Sequence, residues 1–329
     1  MDRSRWTSVS LLWLALSPCV FLAGCTGEAF DLPSVSIGDS AKSAGGNVQR
    51  PVSTSGATPS IRDEITVASW NIQVLGVSKI RKPDAMDVIV DVIRRFDVIA
   101  VQELRSKDQS VIDTLLSMIN ADGSGYDVVV GPRLGRSSSK EQYLYFYDTS
   151  RIALIDGSVY TINDPRDFLH REPLVASFRV VGALSGNAWT FTLVNIHTDP
   201  DEVKQEINVL DDVVRLVRQS DSEDDVILLG DLNADAQHLG DLADIPHLMW
   251  TVTNEATNTR GTKSYDNILF SGTTTSEFTG SAGILDLQVE YSLTMDEALK
   301  VSDHLPVWAA FAPVERPERV AAAAGSTRQ

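Results

Sequence analysis

Short apolar runs alternate with amphipathic segments along most of the chain. Residues 98–101 and 226–229 are unbroken apolar runs, typical of strands buried on both faces. Residues 83–95 and 108–120 carry apolar side chains at helical spacing. A further helix is predicted after Asp199, which is a suitable cap and is followed by a proline. Further strands are predicted near 65–70, 128–130, 143–147, 174–181, 191–196, 265–270 and 305–311. Mixed strands and helices predict one α/β domain over residues 61–313.

The N-terminus has a different pattern, typical of an export signal. Two early arginines precede a mostly apolar run over 11–22, which is shorter than the roughly 20 residues that span a bilayer. The run ends in Leu22-Ala23-Gly24-Cys25, which resembles the bacterial lipobox, whose cysteine is acylated. We expect a lipoprotein signal over 1–24 and a mature protein anchored through Cys25, periplasmic or at the cell surface. The alternative is an ordinary secretory signal, in which Cys25 is incidental and the protein is secreted.

Two segments lack apolar periodicity. Residues 25–60 are rich in Ser, Gly, Thr and Pro and predict a disordered tether, with a reach of about 30–35 Å. Residues 314–329 are rich in Ala and charged residues and predict a disordered tail. Of the two cysteines, Cys19 lies inside the predicted signal, so no disulfide is expected in the mature chain.

Composition is that of a soluble globular protein, with 43% hydrophobic and 22% charged residues. The net charge of -17 disfavours binding to nucleic acid or an anionic membrane by the bulk surface. A nucleic-acid partner therefore requires a local basic face.

Six predicted strands end in, or directly follow, polar groups that can bind metal or move protons. Each such group has a common structural explanation; Gly-Asp-x-Asn, for example, is often only a polar turn. Because side chains at strand ends of an α/β fold meet at one edge, six occurrences favour one active site. The groups are Asn71, Glu103, His197, Asp231 with Asn233, Asp266, and Asp303 with His304.

These residues carry a family resemblance. The chain resembles the endonuclease/exonuclease/phosphatase superfamily and, within it, the deoxyribonuclease I family. The superfamily motifs are Trp70-Asn71-Ile72-Gln73, Val101-Gln102-Glu103, Val194-Asn195-Ile196-His197, Gly230-Asp231-Leu232-Asn233-Ala234, Tyr265-Asp266-Asn267-Ile268 and Ser302-Asp303-His304-Leu305-Pro306-Val307. The narrower match rests on Gly135-Arg136, Lys140-Glu141-Gln142-Tyr143-Leu144 and Arg171-Glu172-Pro173. The implied fold is a four-layered α/β sandwich, with two mixed sheets face to face and helices outside.

The resemblance also implies catalytic roles. Two histidines, each oriented by a carboxylate, would move protons during phosphodiester hydrolysis. The implied pairs are Glu141–His197 and Asp266–His304. His304 is assigned as base towards water and His197 as acid towards the 3′ oxygen, and the reverse stays open.

Metal and DNA ligands follow from the same resemblance. The implied Mg²⁺ or Mn²⁺ ligands are Glu103, Asp231, Asn233 and Asp303. Phosphate or DNA contacts are expected from Asn71, Arg105, Arg136, Arg171 and Tyr265, with Arg133 and Lys140 adding to a local basic face. Ser139 replaces a tyrosine that reaches into the minor groove in the family, which suggests weaker duplex binding.

Structural calcium is a further expectation. Glu255, Thr257 and Thr259 match one family calcium site, and Asp167 with Glu172 matches part of another. The alternative is a set of exposed polar strand residues.

The sequence thus predicts a monomeric, metal-dependent endonuclease that cleaves DNA with little sequence specificity and leaves 5′-phosphate ends. The alternative in the same fold is a phospholipid phosphodiesterase of the sphingomyelinase or phosphoinositide type. Such an enzyme is expected to carry an exposed aromatic hairpin or a basic lipid-facing patch, and neither is evident.

Overall fold

Thirteen strands and six α-helices make up the described part of the chain, residues 64–182, 187–221 and 223–317 of a computed structural model. The strands are β1 (Ile65–Leu75), β2 (Val98–Leu104), β3 (Tyr126–Val130), β4 (Gln142–Asp148), β5 (Ile152–Leu154), β6 (Tyr160–Thr161), β7 (Leu174–Val180), β8 (Thr190–His197), β9 (Val226–Asp231), β10 (Leu248–Trp250), β11 (Asp266–Ser271), β12 (Phe278–Ile284) and β13 (Val307–Phe311). The α-helices are α1 (Val77–Ile80), α2 (Pro83–Arg94), α3 (Ser110–Ile119), α4 (Val203–Asp221), α5 (Leu287–Tyr291) and α6 (Met295–Val301).

The strands form two mixed sheets. The first has the order β12-β13-β1-β2-β4-β3, and the second has the order β10-β11-β9-β8-β7-β5, with β6 paired to β7. Each sheet contains one parallel pair, β1 with β2 in the first and β8 with β9 in the second. The remaining pairs are antiparallel. Each parallel pair therefore sends two carboxyl ends to one edge of its sheet.

Two apolar cores hold the layers together. Between the sheets, alternate side chains such as Tyr145, Phe178 and Leu229 pack together and are fully buried. On the outer face of the first sheet, residues such as Ile89 of α2 and Leu115 of α3 form the second core. Helix α4 contacts β9 of the second sheet. The order helix, sheet, sheet, helix confirms the predicted four-layered sandwich.

Helix α4 begins later than predicted. Asp199 was expected to cap it directly, but residues 200–202 form a turn and the helix starts at Val203. The Asp199 side chain accepts from the backbone N–H of Asp201 at 3.0 Å. Asp199 therefore stabilises the turn that leads into the helix.

The folded domain also extends further towards the C-terminus than the predicted boundary at residue 313. Val314 pairs with Ala188, and Glu315 N donates to Asn187 O at 3.1 Å. Residues 314–317 therefore belong to the folded domain, and the prediction of disorder from 314 is wrong for them, because they add backbone pairing to a sheet edge. The predicted signal, Cys25, the tether and the tail after 317 lie outside the described residues. None of the helices in the described ranges combines the length and apolarity needed to cross a membrane.

Candidate active site

Four of the predicted active-site residues come from the two parallel strand pairs. Asn71 and Glu103 come from β1 and β2, and His197 and Asp231 end β8 and β9. The Asn71 amide joins the two sheets, because its Nδ2 donates to Glu103 Oε1 at 3.2 Å and to Asp231 Oδ2 at 3.0 Å. The four side chains therefore meet as expected, although Asn71 lies within β1, at the point where the regular pairing with β2 is interrupted.

Gly230 allows β9 to approach β8 closely, which places Asp231 beside His197. Its φ is +151°, and a Cβ there would lie 1.8 Å from the carbonyl oxygen of Ile196. The next residue, Asp231, is paired with His197 across the strands. Backbone strain also occurs within the site, since Glu103 has a φ of 67° and Asn233 a φ of 47°.

Gly230→Ala should therefore destabilise the fold by roughly 2–4 kcal/mol, because the methyl group meets backbone that cannot rotate away. Gly157→Ala is the matched control, since Gly157 also has positive φ (+76°) but a Cβ at this position would have no atom within 4 Å. Its expected cost is about 1 kcal/mol. Urea unfolding of both variants measures the difference, and equal costs would contradict a steric role for Gly230.

Glu141 holds the His197 ring at Nδ1, and Arg171 in turn holds Glu141. Nδ1 lies 2.8 Å from Glu141 Oε1, and both side chains are buried. Arg171 Nε lies 2.9 Å from the same carboxylate oxygen. Burial lowers the pKa of His197, but the carboxylates of Glu141 and Asp231 outweigh it, so the pKa is raised overall. A proton on Nδ1 leaves Nε2 as the reactive atom.

His304 has the same arrangement on the other side of the site. Its Nδ1 lies 2.9 Å from Asp266 Oδ2, which also accepts from the Thr257 hydroxyl at 2.7 Å. Burial opposes the charge of His304, but Asp266 and Asp231 outweigh burial and raise its pKa to about 10. Both predicted histidine–carboxylate pairs are thus present in the structure.

Asp231 lies between the two histidines. Its Oδ2 is 3.5 Å from His197 Nε2 and 3.5 Å from His304 Nε2. One carboxylate oxygen therefore faces both reactive nitrogens. Asp231 is 1% exposed, so its charge acts on both imidazoles with little screening by water.

The stability that His304 contributes should decline as the pH rises. Because its folded pKa of about 10 exceeds the ordinary 6.5, the contribution is complete below about pH 6.5 and is lost as the pH rises through about 10. We expect the difference in Tm between the parent and His304→Gln, measured with EDTA, to shrink across this range. A difference that grows with pH would contradict the raised pKa.

The predicted metal ligands fall into two groups. Glu103 lies with Glu141 and His197, and Asp231 lies with Asp266 and His304; within each group, one candidate ligand atom per residue lies within 4.8 Å of the others. The Asn71 amide bridges the groups. Buried carboxylate oxygens of this kind suit a hard divalent cation.

Two other predicted metal ligands have weaker support. Asp303 belongs to neither group, and its backbone carbonyl accepts from Thr259 N at 2.8 Å. Asn233 Nδ2 donates to Thr198 O at 3.0 Å, which leaves Oδ1 as the side-chain atom that could bind a cation. Their roles stay predictions.

Arg171, which is predicted to bind phosphate, makes its hydrogen bonds within the protein. Its Nε and Nη2 both donate to the carbonyl oxygen of His197, at 3.0 and 2.8 Å. The residue is 5% exposed. Nε and Nη2 therefore already have an acceptor within the protein, and phosphate binding by Arg171 stays a prediction. In this structure Arg171 positions Glu141 and the end of β8.

The predicted basic face is largely neutralised by neighbouring acids. Arg105 lies between Glu103 and Glu141, with nitrogen–oxygen distances of 3.2 and 3.5 Å. Arg136 pairs with Asp167 at 3.1 Å and with Glu202. Of the predicted cationic groups, Lys140 is exposed and forms no ion pair among the described residues. Tyr265 is half-buried, with its ring centroid 6.1 Å from that of His304. DNA contacts by these residues stay predictions.

In the first expected calcium site, both threonine hydroxyls form hydrogen bonds within the protein. Thr257 Oγ1 donates to Asp266 and accepts from the backbone N–H groups of Tyr265 and Asp266. Thr259 Oγ1 donates to the Ser302 carbonyl at 2.7 Å, whereas Glu255 is exposed. Both threonine hydroxyls therefore already have partners within the protein, and of the three side chains only Glu255 is exposed.

In the second expected calcium site, Asp167 is exposed and paired with Arg136, and Glu172 is half-buried. Calcium binding at either set stays a prediction.

Two buried groups that are not among the predicted site residues also support the site. Lys79 Nζ donates to the carbonyls of Ile72, Gln73 and Val301. Burial lowers the pKa of Lys79 to about 8, although Asp303 and Glu103 act in the opposite direction. Trp70 Nε1 donates to the His304 carbonyl at 2.9 Å. A lysine between two predicted elements gives no sequence signal for such a role.

Comparison with known proteins agrees with this geometry. The sequence pattern of the Endonuclease/Exonuclease/phosphatase family matches residues 68–304. The chain belongs to this family. It is 35% identical over 254 residues to human Deoxyribonuclease-1-like 1, covering 73% of this chain and 82% of that protein. It is 32% identical over 260 residues to Deoxyribonuclease-1 of Bos taurus, covering 74% and 90% respectively.

Solved structures show the same fold. The human Nocturnin catalytic domain with bound sulfate superposes with a TM-score of 0.51 at 17% identity, covering 77% of this chain and 95% of that one. Together these comparisons confirm the predicted family and the prediction of a hydrolase of the phosphodiesterase type.

Proposed function

We propose that this protein is a metal-dependent endonuclease that hydrolyses phosphodiester bonds of DNA with little sequence specificity and leaves 5′-phosphate ends. The observation that supports it most is the arrangement of His197 and His304 around Asp231. Each histidine bonds a carboxylate through Nδ1 and directs Nε2 to within 3.5 Å of one Asp231 oxygen. Its relatives at 30–35% identity bear deoxyribonuclease names.

The two histidines would transfer protons through Nε2. Hydrolysis needs one group to take a proton from water and another to give a proton to the departing 3′ oxygen. We assign His304 to the first step and His197 to the second. Since both pKa values are raised, the accepting histidine requires added positive charge nearby to lose its proton at neutral pH.

A divalent cation, Mg²⁺ or Mn²⁺, would supply that charge and neutralise charge developing on the phosphate. Glu103 and Asp231 are the ligands that the donor set favours, because their buried oxygens approach a common amide, that of Asn71. Asn71 then orients the two carboxylates. Glu103 is fixed further by the backbone N–H of Val74, which donates to Oε2 at 2.8 Å.

A panel of substrates tests the proposal. Purified protein is incubated with supercoiled plasmid, single-stranded DNA, RNA and sphingomyelin, with Mg²⁺, Mn²⁺ or EDTA. We expect metal-dependent cleavage of plasmid. Cleavage of sphingomyelin alone would replace the proposal with the lipid alternative. Among the described residues, the exposed large hydrophobic side chains are aliphatic or Met and include no aromatic, which favours DNA over lipid.

We further propose that the enzyme acts as an exported, lipid-anchored monomer. The supporting pattern is the apolar run that ends in Leu22-Ala23-Gly24-Cys25. Cys25→Ser should move the protein from the membrane fraction to the soluble fraction, or leave its precursor uncleaved, with unchanged specific activity. Fractionation and N-terminal mass spectrometry measure this. Parent protein found free in the medium with an N-terminus beyond residue 25 would show an ordinary secretory signal.

A further inference from the structure

A second cluster of acidic side chains lies at the opposite end of the sheets from the active site. Asp225 directly precedes β9, Glu277 directly precedes β12, and Glu315 follows β13. One carboxylate oxygen of each lies within 4.8 Å of the others. Asp225 and Asp231 stand at opposite ends of β9, about 20 Å apart at the usual rise of a strand. The cluster is thus separate from the catalytic groups.

Two of the acids in this cluster are buried, and each has one carboxylate oxygen without a well-formed hydrogen bond. Asp225 is 4% exposed and Glu277 is fully buried. Glu277 Oε2 and Asp225 Oδ1 accept no well-formed hydrogen bond, and the buried Thr275 hydroxyl lies close to the Asp225 carboxylate. Within the described ranges, no Lys or Arg side chain forms an ion pair with any of the three acids, and the charge of Arg316 acts on Glu277 from beyond ion-pair distance. Buried carboxylates without a counter-charge are strongly unfavourable.

The other oxygen of each carboxylate is held by the surrounding fold. Asp225 Oδ2 accepts from the Trp189 indole at 2.9 Å, and Glu315 Oε1 accepts from the Thr190 N–H at 2.8 Å. Glu277 Oε1 accepts from the backbone N–H of Arg316. Hydrogen bonds on one oxygen therefore orient each acid, and the second oxygens of Asp225 and Glu277 are left without a well-formed bond.

We propose that Asp225, Glu277 and Glu315 bind a hard divalent cation, with calcium as the best fit. All available donors are oxygens, which such cations prefer, and calcium accepts irregular sets of six to eight oxygen ligands that include hydroxyls and waters. The cation would join β9 of the second sheet to β12 and β13 of the first. It would act as a structural clip in a chain whose two cysteines both lie within the first 25 residues.

The competing explanation is that the acids share protons. Burial, followed by the charge of Glu277, raises the pKa of Asp225 to about 8, so without a cation the cluster takes up protons near neutral pH. The two explanations differ in their response to added cation. Only a cation site gives a calcium effect that depends on Glu277.

Thermal melting of the full-length protein tests this, with calcium or EGTA. At 100 times its dissociation constant, calcium should raise Tm by about 5–10 °C. Glu277→Gln should lose this rise, yet in EGTA it should melt at or above the parent temperature, because it removes a repelling charge and keeps Oε1. The control Glu255→Gln changes an exposed acid of the calcium site expected from the sequence, and should keep the rise. A rise that persists in Glu277→Gln, or that is absent from the parent, would overturn the proposal.

Terbium luminescence excited through tryptophan gives a second readout. Trp189 bonds Asp225 directly, so a lanthanide in the cluster would be sensitised efficiently. We expect Glu277→Gln to lose a calcium-displaceable signal that Glu103→Gln, changed at the active site, retains. Loss of that signal in Glu103→Gln with retention in Glu277→Gln would assign the ion to the active site instead.

Discussion

Replacing either His197 or His304 by alanine is expected to lower kcat on plasmid DNA by roughly 10²–10⁴-fold, the usual contribution of a positioned acid or base. Each change removes the one Nε2 that faces Asp231 from its side of the site. The double variant should lose little more than either single variant, because the two groups act in one reaction. Initial nicking rates in saturating Mg²⁺ measure the effect, and circular dichroism checks that each variant is folded.

His238→Ala is the matched control for these variants. Its side chain is 73% exposed and bonds Asp235 at 2.6 Å, so its loss should leave the nicking rate unchanged. The proposed mechanism would be abandoned if folded His197→Ala or His304→Ala protein nicked plasmid at the parent rate.

Asp231→Asn is expected to lower kcat by roughly 10²–10³-fold, as for removal of one preorganised electrostatic group. It should also lower the pKa of both histidines, since the Asp231 charge raises each of them. The amide keeps an oxygen that can accept from the backbone N–H of Asn233, the bond Asp231 makes at 3.0 Å. Folding should therefore survive the change.

NMR titration of the histidine rings, together with nicking rates, measures this double effect. Asp235→Asn, in the same segment, is the control and should change neither catalysis nor the two pKa values. Unchanged pKa values for both histidines in Asp231→Asn would mean that Asp231 does not face them in solution.

Periodicity predicted many of the strands and helices of this fold, whereas the four layers followed from the family resemblance. The run 226–229 is apolar at every position, since one face of β9 packs in the core between the sheets and the other lies beneath α4. A strand of this kind ends abruptly in polar residues, so Asp231 was identifiable as a strand-end group. Glu141 was found differently, from a motif in the segment preceding β4.

Contacts made by long side chains could not be predicted in the same way. The sequence placed Arg171 near the site, but whether its guanidinium meets a phosphate or the His197 carbonyl depends on how β7 and β8 are packed. The cluster of Asp225, Glu277 and Glu315 was missed for a related reason. Its members are far apart in sequence and belong to different sheets, so no local pattern links them.

The most direct test of the central claim is the chemistry of the nick. Supercoiled plasmid is treated with the protein and Mg²⁺ until relaxed circles form, and the circles are incubated with DNA ligase without added kinase. The proposed mechanism predicts metal-dependent nicks that ligase seals, because each carries a 5′-phosphate and a 3′-hydroxyl, and no nicks from His304→Ala protein. Nicks that ligase seals only after end repair, or nicking that persists in His304→Ala, would contradict it.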